Sequence, residues 1–275
     1  MSVDFLKGAV LGSPISHSLS PILHSKAFML LDQKGSYEAI EVSSGNLQSF
    51  LETFGQDFDY LSLTMPLKEE VFRIGGELKI EIDSLAERIQ SVNTLIKKQN
   101  GWIATSTDGS GFIKALANAG YDYFQSVLIL GAGGTARAVA GALDDITNSV
   151  VVMGRSVRRN AAIAQCFTKL SPEFLSWDDQ IDLSGYDLVI NTTPSGAADL
   201  IAENIAANLD GLLFDVLYKP WPTLLARRWS DHGGETIGGL ELLLYQGIDQ
   251  INLVSKIGQK SIDDALRHEL INAIS

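Results

Sequence analysis

The chain has 275 residues, 45% of them apolar, which is typical of a folded protein with one large or two modest domains. Its 21 basic and 33 acidic residues give a formal charge of −12, which disfavours nucleic acid and anionic membrane surfaces as partners. The single cysteine, Cys166, excludes an internal disulfide and a cysteine-built metal cluster, so no metal site is predicted. The N-terminus lacks signal-peptide features and no run of about 18 apolar residues occurs, so a cytoplasmic location is expected.

The N-terminal part of the chain alternates short β-rich segments with helical ones. The strand KGAVLG precedes a helix expected to have Ser20 as its N-cap, Pro21 at its first helical position and Gly35 as its terminator. The strands SYEAIEV and YLSLT flank a helix over 46–54. This pattern predicts an α/β layer with some parallel pairing.

A hairpin is predicted where NTLIKKQ and GWIATST flank Asn100-Gly101. We expect it to close a first domain over 1–105. The following segment, TDGSGFIKALANAG, predicts a helix with Asp108 near its start and Gly120 at its end.

Later segments repeat a strand, a glycine turn and a helix. The apolar runs SVLIL, SVVVMG, YDLVIN and GLLFD each end in a polar turn, as parallel strands do when helices cover both faces. Residues 106–238 are therefore predicted to form a second domain, Rossmann-type and doubly wound. The tail over 239–275 is predicted as two helices, the second with Ser261 as N-cap.

The glycine turn LILGAGGTARA has the spacing of a dinucleotide-binding site. Gly131 would make the tight turn, Gly133 would let backbone N–H groups approach a pyrophosphate, and the small Ala136 would allow close helix packing. The alternative is a strand–helix turn that binds nothing. The preceding strand and the βα units that follow favour binding.

The end of the next strand indicates which dinucleotide is bound. An acidic residue there would bind a ribose 2′-hydroxyl, but the chain reads VVMGRSVRRN and places Arg155 at that point. Arg155, with Ser156, Arg158 and Arg159, suits a 2′-phosphate through charge-assisted contacts. The alternative is that these arginines are solvated residues at the start of a helix and bind no ligand. In so acidic a chain, the cluster favours NADP over NAD.

Oxidation of an alcohol by a nicotinamide cofactor also requires a protein group that takes the hydroxyl proton. The candidates are His17, His24, Lys68, Asp108 and Tyr218. Lys68 and Asp108 each follow an extended segment where a helix is predicted to begin, so they would act together if those segments were neighbours. Lys68 alone is typical of a solvated lysine, and Asp108 alone of a helix N-terminal carboxylate.

Two serines precede the first helix in GSPISHSLSPILH. Ser18 and Ser20, with nearby N–H groups, would suit a carboxylate ligand, and Ser20 also serves as a predicted N-cap. These two interpretations are compatible.

Taken in order, these segments resemble the shikimate dehydrogenase family, which reduces 3-dehydroshikimate to shikimate with NADPH in aromatic amino-acid biosynthesis. The motifs are GSPISHSLSPILH, SLTMPLK, SVNTL, STDGSG, GAGGTARA, NTTPSG, DVLYKP and GGLELLLYQG, and they span nearly the whole chain. The resemblance implies an N-terminal α/β substrate domain, a Rossmann NADP domain, and C-terminal helices over 239–275 that return to the first domain, with the active site in the cleft.

The resemblance also assigns roles to individual residues. It implies that Lys68 and Asp108 are catalytic. The residues implied to bind substrate are Ser18, Ser20, Thr64, Asn93, Tyr218 and Gln246. Those implied to bind NADP are Gly131, Ala132, Gly133, Gly134, Thr135, Ala136, Arg155, Ser156, Arg159, Thr192, Val216 and Gly239.

Some positions depart from the common family pattern. Ser62 stands where asparagine is frequent, Ser91 where alanine is usual, and Ser106 where asparagine precedes the aspartate motif. Gly154 stands where asparagine often precedes the cofactor arginine, and Leu242 where methionine usually lies near the nicotinamide. None removes a proposed catalytic group, and Ser106 could alter how Asp108 is held.

The leading hypothesis is an NADP-dependent dehydrogenase of shikimate, active as a monomer or homodimer on a small-molecule substrate. One alternative is a paralogue acting on quinate or a related cyclic hydroxy acid, which the serine replacements favour. Another is a non-catalytic NADP-binding protein, which has no need of both Lys68 and Asp108.

Overall fold

A computed structural model of the chain describes residues 5–75, 78–205, 208–255 and 264–274. The predicted N-cap Ser261 lies outside these residues. The chain divides into two compact units, Met1–Gly111 with Leu243–Ser275 (unit 1) and Phe112–Leu242 (unit 2). Each unit contains a six-stranded sheet.

The strands and helices follow one another along the chain in a mixed α/β order. The strands are β1 (Leu6–Gly12), β2 (Gly35–Glu41), β3 (Tyr60–Leu63), β4 (Ile80–Ile82), β5 (Thr94–Lys98), β6 (Gly101–Thr105), β7 (Phe124–Leu130), β8 (Thr147–Gly154), β9 (Glu173–Ser176), β10 (Leu188–Asn191), β11 (Leu212–Asp215) and β12 (Glu235–Ile237). The helices are α1 (Ser20–Leu30), α2 (Leu47–Phe54), α3 (Ser84–Ile89), α4 (Asp108–Asn118), α5 (Gly134–Ala140), α6 (Asn160–Ala164), α7 (Asp199–Glu203), α8 (Leu224–Asp231), α9 (Gly239–Val254) and α10 (Asp264–Ile274). Short 3-10 segments cover Gly55–Asp57, Leu67–Arg73, Val157–Arg159 and Leu183–Gly185.

The sheet of unit 1 has the order β2-β1-β3-β5-β6-β4 and mixes parallel with antiparallel pairs. β1 is parallel to both β2 and β3, whereas β5 is antiparallel to β3 and to β6. Because β5 runs in the opposite direction, its beginning lies at the same edge of the sheet as the ends of β3 and β6.

The central strand β1 is buried on both faces. Ala9 and Leu11 point into one apolar cluster with Leu47 of α2, whereas Val10 points into another with Phe28 of α1. This alternation follows from the two-residue period of a strand, and burial on both faces explains why KGAVLG is almost entirely apolar.

The sheet of unit 2 is wholly parallel and has the order β9-β8-β7-β10-β11-β12. Numbered from β7, this is the 3-2-1-4-5-6 order of a doubly wound Rossmann fold. The strand order reverses between β7 and β10, and ligands bind at such a switch point in open α/β sheets. The predicted fold class is confirmed.

Three local predictions in unit 1 were wrong in detail. The N-cap of α1 is Leu19, which already has a helical backbone conformation, so Ser20 is the first helical residue and Pro21 the second. Gly35 begins β2 and does not terminate α1. The hairpin between β5 and β6 is confirmed, but Lys98 pairs with Gly101, which places Gln99 and Asn100 at its tip.

Within the described residues, no helix combines the length and apolar character needed to cross a membrane. Over the same ranges, no group of three or more His, Cys, Asp or Glu side chains is arranged to hold a metal ion.

Candidate active site

One edge of the sheet in unit 1 gathers the predicted catalytic segments. Lys68 follows the end of β3, Asn93 directly precedes β5, and Asp108 follows the end of β6. Backbone hydrogen bonds fix this edge, since Leu63 N–H donates to the Asn93 carbonyl at 2.8 Å and Asn93 N–H donates to Thr105 at 3.2 Å. The antiparallel direction of β5 therefore brings these three segments together.

Lys68 and Asp108 form a salt bridge between the lysine Nζ and the carboxylate Oδ2. Their side chains are only 15% and 5% exposed, so solvent screens this pair much less than a surface ion pair. Lys68 is thus not a solvated surface lysine. The carboxylate of Asp108 accepts hydrogen bonds from the side chains of Lys68 and Asn93. Asp108 therefore does more than stabilise the start of its own helix.

The side chain of Asn93 holds the second carboxylate oxygen. Asn93 Nδ2 donates to Asp108 Oδ1 at 2.8 Å and to Thr107 Oγ1 at 2.9 Å. The amide oxygen of Asn93 accepts from Thr107 N–H at 2.9 Å and from the hydroxyl of Thr94 at 2.8 Å. Because one donor is a backbone N–H, the orientation of the amide is determined.

Gln246 of α9 reaches the same group of side chains. Its Oε1 lies 3.2 Å from Asn93 Nδ2, and its backbone carbonyl accepts from Thr107 Oγ1 at 3.0 Å. Lys68, Asp108, Asn93 and Gln246 are therefore joined in one hydrogen-bonded cluster, which we call the amide–carboxylate cluster.

The segment that carries Lys68 is fixed at both ends. Leu67 N–H donates to the Thr64 carbonyl at 2.8 Å, which starts the 3-10 segment, and Val92 N–H donates to the Lys68 carbonyl at 2.9 Å. Farther along the segment, Glu70 accepts from Leu47 N–H at 2.8 Å, at the start of α2. Val92 thus holds the backbone of Lys68 directly, and Glu70 ties the same segment to α2.

The other predicted substrate residues of unit 1 lie outside this cluster. Within the described residues, the side chains of Ser18, Ser20 and Thr64 make no hydrogen bond to it. Ser20 N–H donates to Ser18 Oγ at 3.3 Å, and Ser20 itself is buried. Their predicted contact with substrate stays a prediction.

Two of the serine replacements are buried near the cluster's backbone. Ser91 is fully buried and Ser106 is nearly so, and the hydroxyl of each has no hydrogen-bond partner within the described residues. Asp108 is held by Lys68 and Asn93, so the change at Ser106 leaves both of those contacts in place.

The two histidines considered as proton acceptors have different environments. His17 is exposed, whereas His24 is fully buried, with Nδ1 2.7 Å from the hydroxyl of Tyr60 and its ring stacked on Tyr37 at 3.9 Å. Burial lowers the pKa of His24 to about 3, so the imidazole is neutral at pH 7.

Acid should destabilise the folded chain through His24. The pKa is about 3 when folded and about 6.5 when unfolded, so the unfolded chain binds more protons between these values. The stability contributed by neutral His24 is complete above pH 6.5 and is lost as the pH falls towards 3. At pH 5 the loss amounts to about 2 kcal/mol.

Urea unfolding at about pH 8 and pH 5 measures this effect. His24→Gln has no titrating group at this position, so we expect a smaller change in unfolding free energy between the two pH values than in the wild-type protein. An equal change in both proteins would show that His24 does not contribute.

In unit 2, the glycine turn follows β7 and leads into α5. Gly131 has a φ of +106°, and a Cβ there would lie 2.5 Å from Thr192 Oγ1, so only glycine fits without strain. In contrast, a Cβ at Gly133 would meet nothing closer than Arg159 Nη1 at 3.8 Å. Ala136 is fully buried. This geometry fits the pyrophosphate of a dinucleotide.

The turn after β8 brings basic side chains to the glycine turn. Arg159 Nη1 donates to the carbonyl of Ala132 at 3.1 Å, which links the two turns. Arg155 and Ser156 are exposed at the end of β8. These residues therefore fit an adenosine 2′-phosphate.

The remaining predicted residues of unit 2 lie at the ends of β10 and β11. Thr192 Oγ1 donates to the Leu130 carbonyl at 2.8 Å, at the switch point between β10 and β7. Val216 and Tyr218 follow β11, and Gly239 N–H donates to the Leu217 carbonyl at 3.1 Å.

Sequence reasoning missed several residues that organise these sites. Thr107, beside Asp108, bonds to both Asn93 and Gln246. Gln250 lies one turn beyond Gln246 on α9, and this spacing on a helix was the signal available. In unit 2, the buried Asp215 accepts from Leu217 N–H at 3.1 Å, and burial raises its pKa.

Residues 10–95 match the family model described as the shikimate dehydrogenase substrate binding domain. The chain is 34% identical over 245 residues to the shikimate dehydrogenase (NADP(+)) of an Exiguobacterium species, covering 87% of this chain and 88% of that protein. It is 35% identical over 259 residues to the shikimate dehydrogenase (NADP(+)) of Methanosarcina acetivorans, covering 89% and 90% of the two chains.

Solved structures show the same likeness over both units. The crystal structure of Mycobacterium tuberculosis shikimate dehydrogenase has a TM-score of 0.83 and 30% identity, covering 98% of this chain and 99% of that one. The Thermus thermophilus shikimate 5-dehydrogenase, solved with NADP(H) and shikimate, has a TM-score of 0.80 and 30% identity, covering 98% and 100%.

Proposed function

Because the chain belongs to the shikimate dehydrogenase family, we propose that it is an NADP-dependent oxidoreductase that interconverts 3-dehydroshikimate and shikimate. The observation that carries this proposal is the partly buried salt bridge between Lys68 and Asp108, held by Asn93. A hydroxyl placed against this pair would meet both a proton donor and a proton acceptor.

The chemistry divides between cofactor and protein. NADP, when bound, accepts the hydride in oxidation, and its reduced form returns it in reduction. In reduction, Lys68 donates a proton from Nζ to the oxygen of the 3-dehydroshikimate carbonyl as that oxygen gains negative charge, which yields the hydroxyl. In oxidation, Lys68 and Asp108 together take the hydroxyl proton.

A lysine in water is a poor base near pH 7. The proposed proton transfer by Lys68 therefore depends on its position beside Asp108. The second carboxylate oxygen of Asp108 is occupied by the amide of Asn93. Asp108 is thereby held with one oxygen towards the lysine. It stabilises the ammonium form that Lys68 has before it donates a proton in reduction and after it takes one up in oxidation.

The substrate contacts form the second part of the proposal. Ser18 and Ser20 bind the carboxylate of shikimate. Thr64, Asn93 and Gln246 bind the ring hydroxyls, and Tyr218 contributes from the end of β11. The support in the structure is strongest for Asn93 and Gln246, since both lie in the amide–carboxylate cluster.

NADP is the cofactor in this proposal, held by the glycine turn after β7 and by the basic turn after β8. Gly133 leaves room for the pyrophosphate, and Arg155, Ser156 and Arg159 would hold the 2′-phosphate. We further propose that the protein is cytoplasmic and acts as a monomer or homodimer. The single cysteine is compatible with a reducing compartment.

The serine replacements favour quinate or a related cyclic hydroxy acid as a second candidate substrate. Ser62, Ser91 and Ser106 each place a small hydroxyl in the buried region around the cluster. Ser91 lies two residues from Asn93 and Ser106 two residues from Asp108, and none of the three replaces a catalytic residue, so they bear on the choice of substrate and not on the reaction type.

Absorbance at the reduced-nicotinamide band tests the function directly. Mixing the protein with NADP and shikimate should produce the band, and quinate should produce it more slowly. Faster turnover of quinate would favour the paralogue. NADP binding without any turnover of either substrate would contradict the enzymatic proposal and favour a cofactor-binding protein.

A further inference from the structure

The helix α9 contributes a second amide to the region of the candidate site. Gln250 lies one turn after Gln246 and is only 1% exposed. Gln246 belongs to the amide–carboxylate cluster, whereas the hydrogen bonds of Gln250 go to Asn93, Thr94 and Ser62. A glutamine buried this completely requires partners for both ends of its amide.

Gln250 has partners at both ends. Its Nε2 donates to the Asn93 carbonyl at 3.1 Å and to the hydroxyl of Thr94 at 2.9 Å. Its Oε1 accepts from Ser62 Oγ at 2.8 Å, and Ser62 in turn accepts from the hydroxyl of Tyr37 at 2.6 Å. The three partners of Gln250 are themselves buried, and so is Tyr37.

The bonds have a consistent direction that ends at the carboxylate. The hydroxyl of Thr94 accepts from Gln250 and donates to Asn93 Oδ1 at 2.8 Å. Asn93 Nδ2 then donates to Asp108 Oδ1 at 2.8 Å. Because a hydroxyl has only one proton, the bond from Gln250 leaves that proton free to point at Asn93.

We propose that Gln250 is a positioning residue for the reaction: it holds the backbone of Asn93 directly and the side chain of Asn93 through Thr94, so that the amide stays on the Asp108 carboxylate. This inference rests on the proposed function, in which Asp108 and Lys68 transfer the substrate proton.

Ser62 holds the other end of the Gln250 amide. The hydroxyl of Ser62 donates to the amide oxygen of Gln250 and so fixes which way the amide points. The amide that fixes Asn93 therefore comes from α9, and the register of β3 and β5, which pairs Ser62 with Thr94, places both of its hydroxyl partners side by side.

The test compares two variants that each remove buried hydrogen bonds. Gln250→Met keeps the size of the side chain but removes its bonds to Asn93, Thr94 and Ser62. Tyr37→Phe is the matched control, because it removes only the bond to Ser62 and leaves Gln250 in place. Thermal unfolding measures the loss of stability in each variant.

We expect kcat/KM for shikimate to fall about tenfold in Gln250→Met, with the KM for NADP unchanged, by analogy with the roughly 10- to 100-fold effects of removing hydrogen-bond partners that orient metal ligands. Tyr37→Phe should keep kcat/KM within about twofold of the wild-type value. Unchanged activity in Gln250→Met, or equal losses in both variants, would overturn the proposal, because the network would then serve stability alone.

A measurement without substrate separates this inference from the proposed function. Hydrogen exchange of the Asn93 side-chain amide, followed by NMR, should be about tenfold faster in Gln250→Met than in the wild-type protein and in Tyr37→Phe. An unchanged exchange rate in Gln250→Met would refute the inference alone, whereas a wild-type protein inactive on shikimate would refute only the function.

Discussion

Lys68→Ala should lower turnover of shikimate by about 100-fold or more while the affinity for NADP stays nearly unchanged. The reason is that the variant removes the group placed to transfer the hydroxyl proton, and positioned acids and bases contribute roughly 10²- to 10⁴-fold. Steady-state kinetics with NADP and shikimate, together with NADP binding by fluorescence, measure the two quantities separately.

Lys98→Ala is the matched control for this experiment. Lys98 is an exposed lysine of the same unit, at the end of β5, so its removal should leave turnover unchanged. Comparable activity in both variants would contradict the role of Lys68. A Lys68→Ala protein that is inactive because it is unfolded would reveal itself by loss of NADP binding.

Arg155→Ala should raise the KM for NADP by about 10- to 100-fold and leave the KM for NAD nearly unchanged. Charge-assisted hydrogen bonds contribute about 1.5–3 kcal/mol, and each 1.4 kcal/mol is a tenfold change in affinity. NAD lacks the 2′-phosphate, so it loses none of these contacts. Initial rates with each cofactor, at saturating shikimate, give both constants.

Arg227→Ala controls for a general loss of positive charge. Arg227 is exposed in α8 of the same unit and should have a small effect on either cofactor. A wild-type protein that prefers NAD, or equal effects of the two variants on NADP, would contradict the proposed role of Arg155.

Much of unit 2 could be predicted because its determinants are local. The tight turn at Gly131 needs a positive φ, which glycine adopts without strain, so the pattern and the backbone agree. The parallel strands can also be recognised from the sequence. Helices cover both faces of the sheet, so each strand is a nearly continuous apolar run. The sequence also shows directly that Arg155 stands where an NAD-binding site would have an acidic residue.

Local patterns were less informative where tertiary contacts decided the geometry. Ser20 is a favourable N-cap residue, yet Leu19 has that position because the preceding turn is already helical. Asn100-Gly101 predicted the hairpin, but the register of β5 and β6 moved its tip by one residue.

By itself, the sequence determined the order of strands and helices, the glycine turn and the residue types available for catalysis, because each depends on neighbours along the chain. Only the tertiary structure decided that Lys68 meets Asp108 and that Gln250 lies behind Asn93. The physical reason is that β5 runs antiparallel to β3 and β6, so residues far apart in the chain meet at one sheet edge, where α9 adds its two amides.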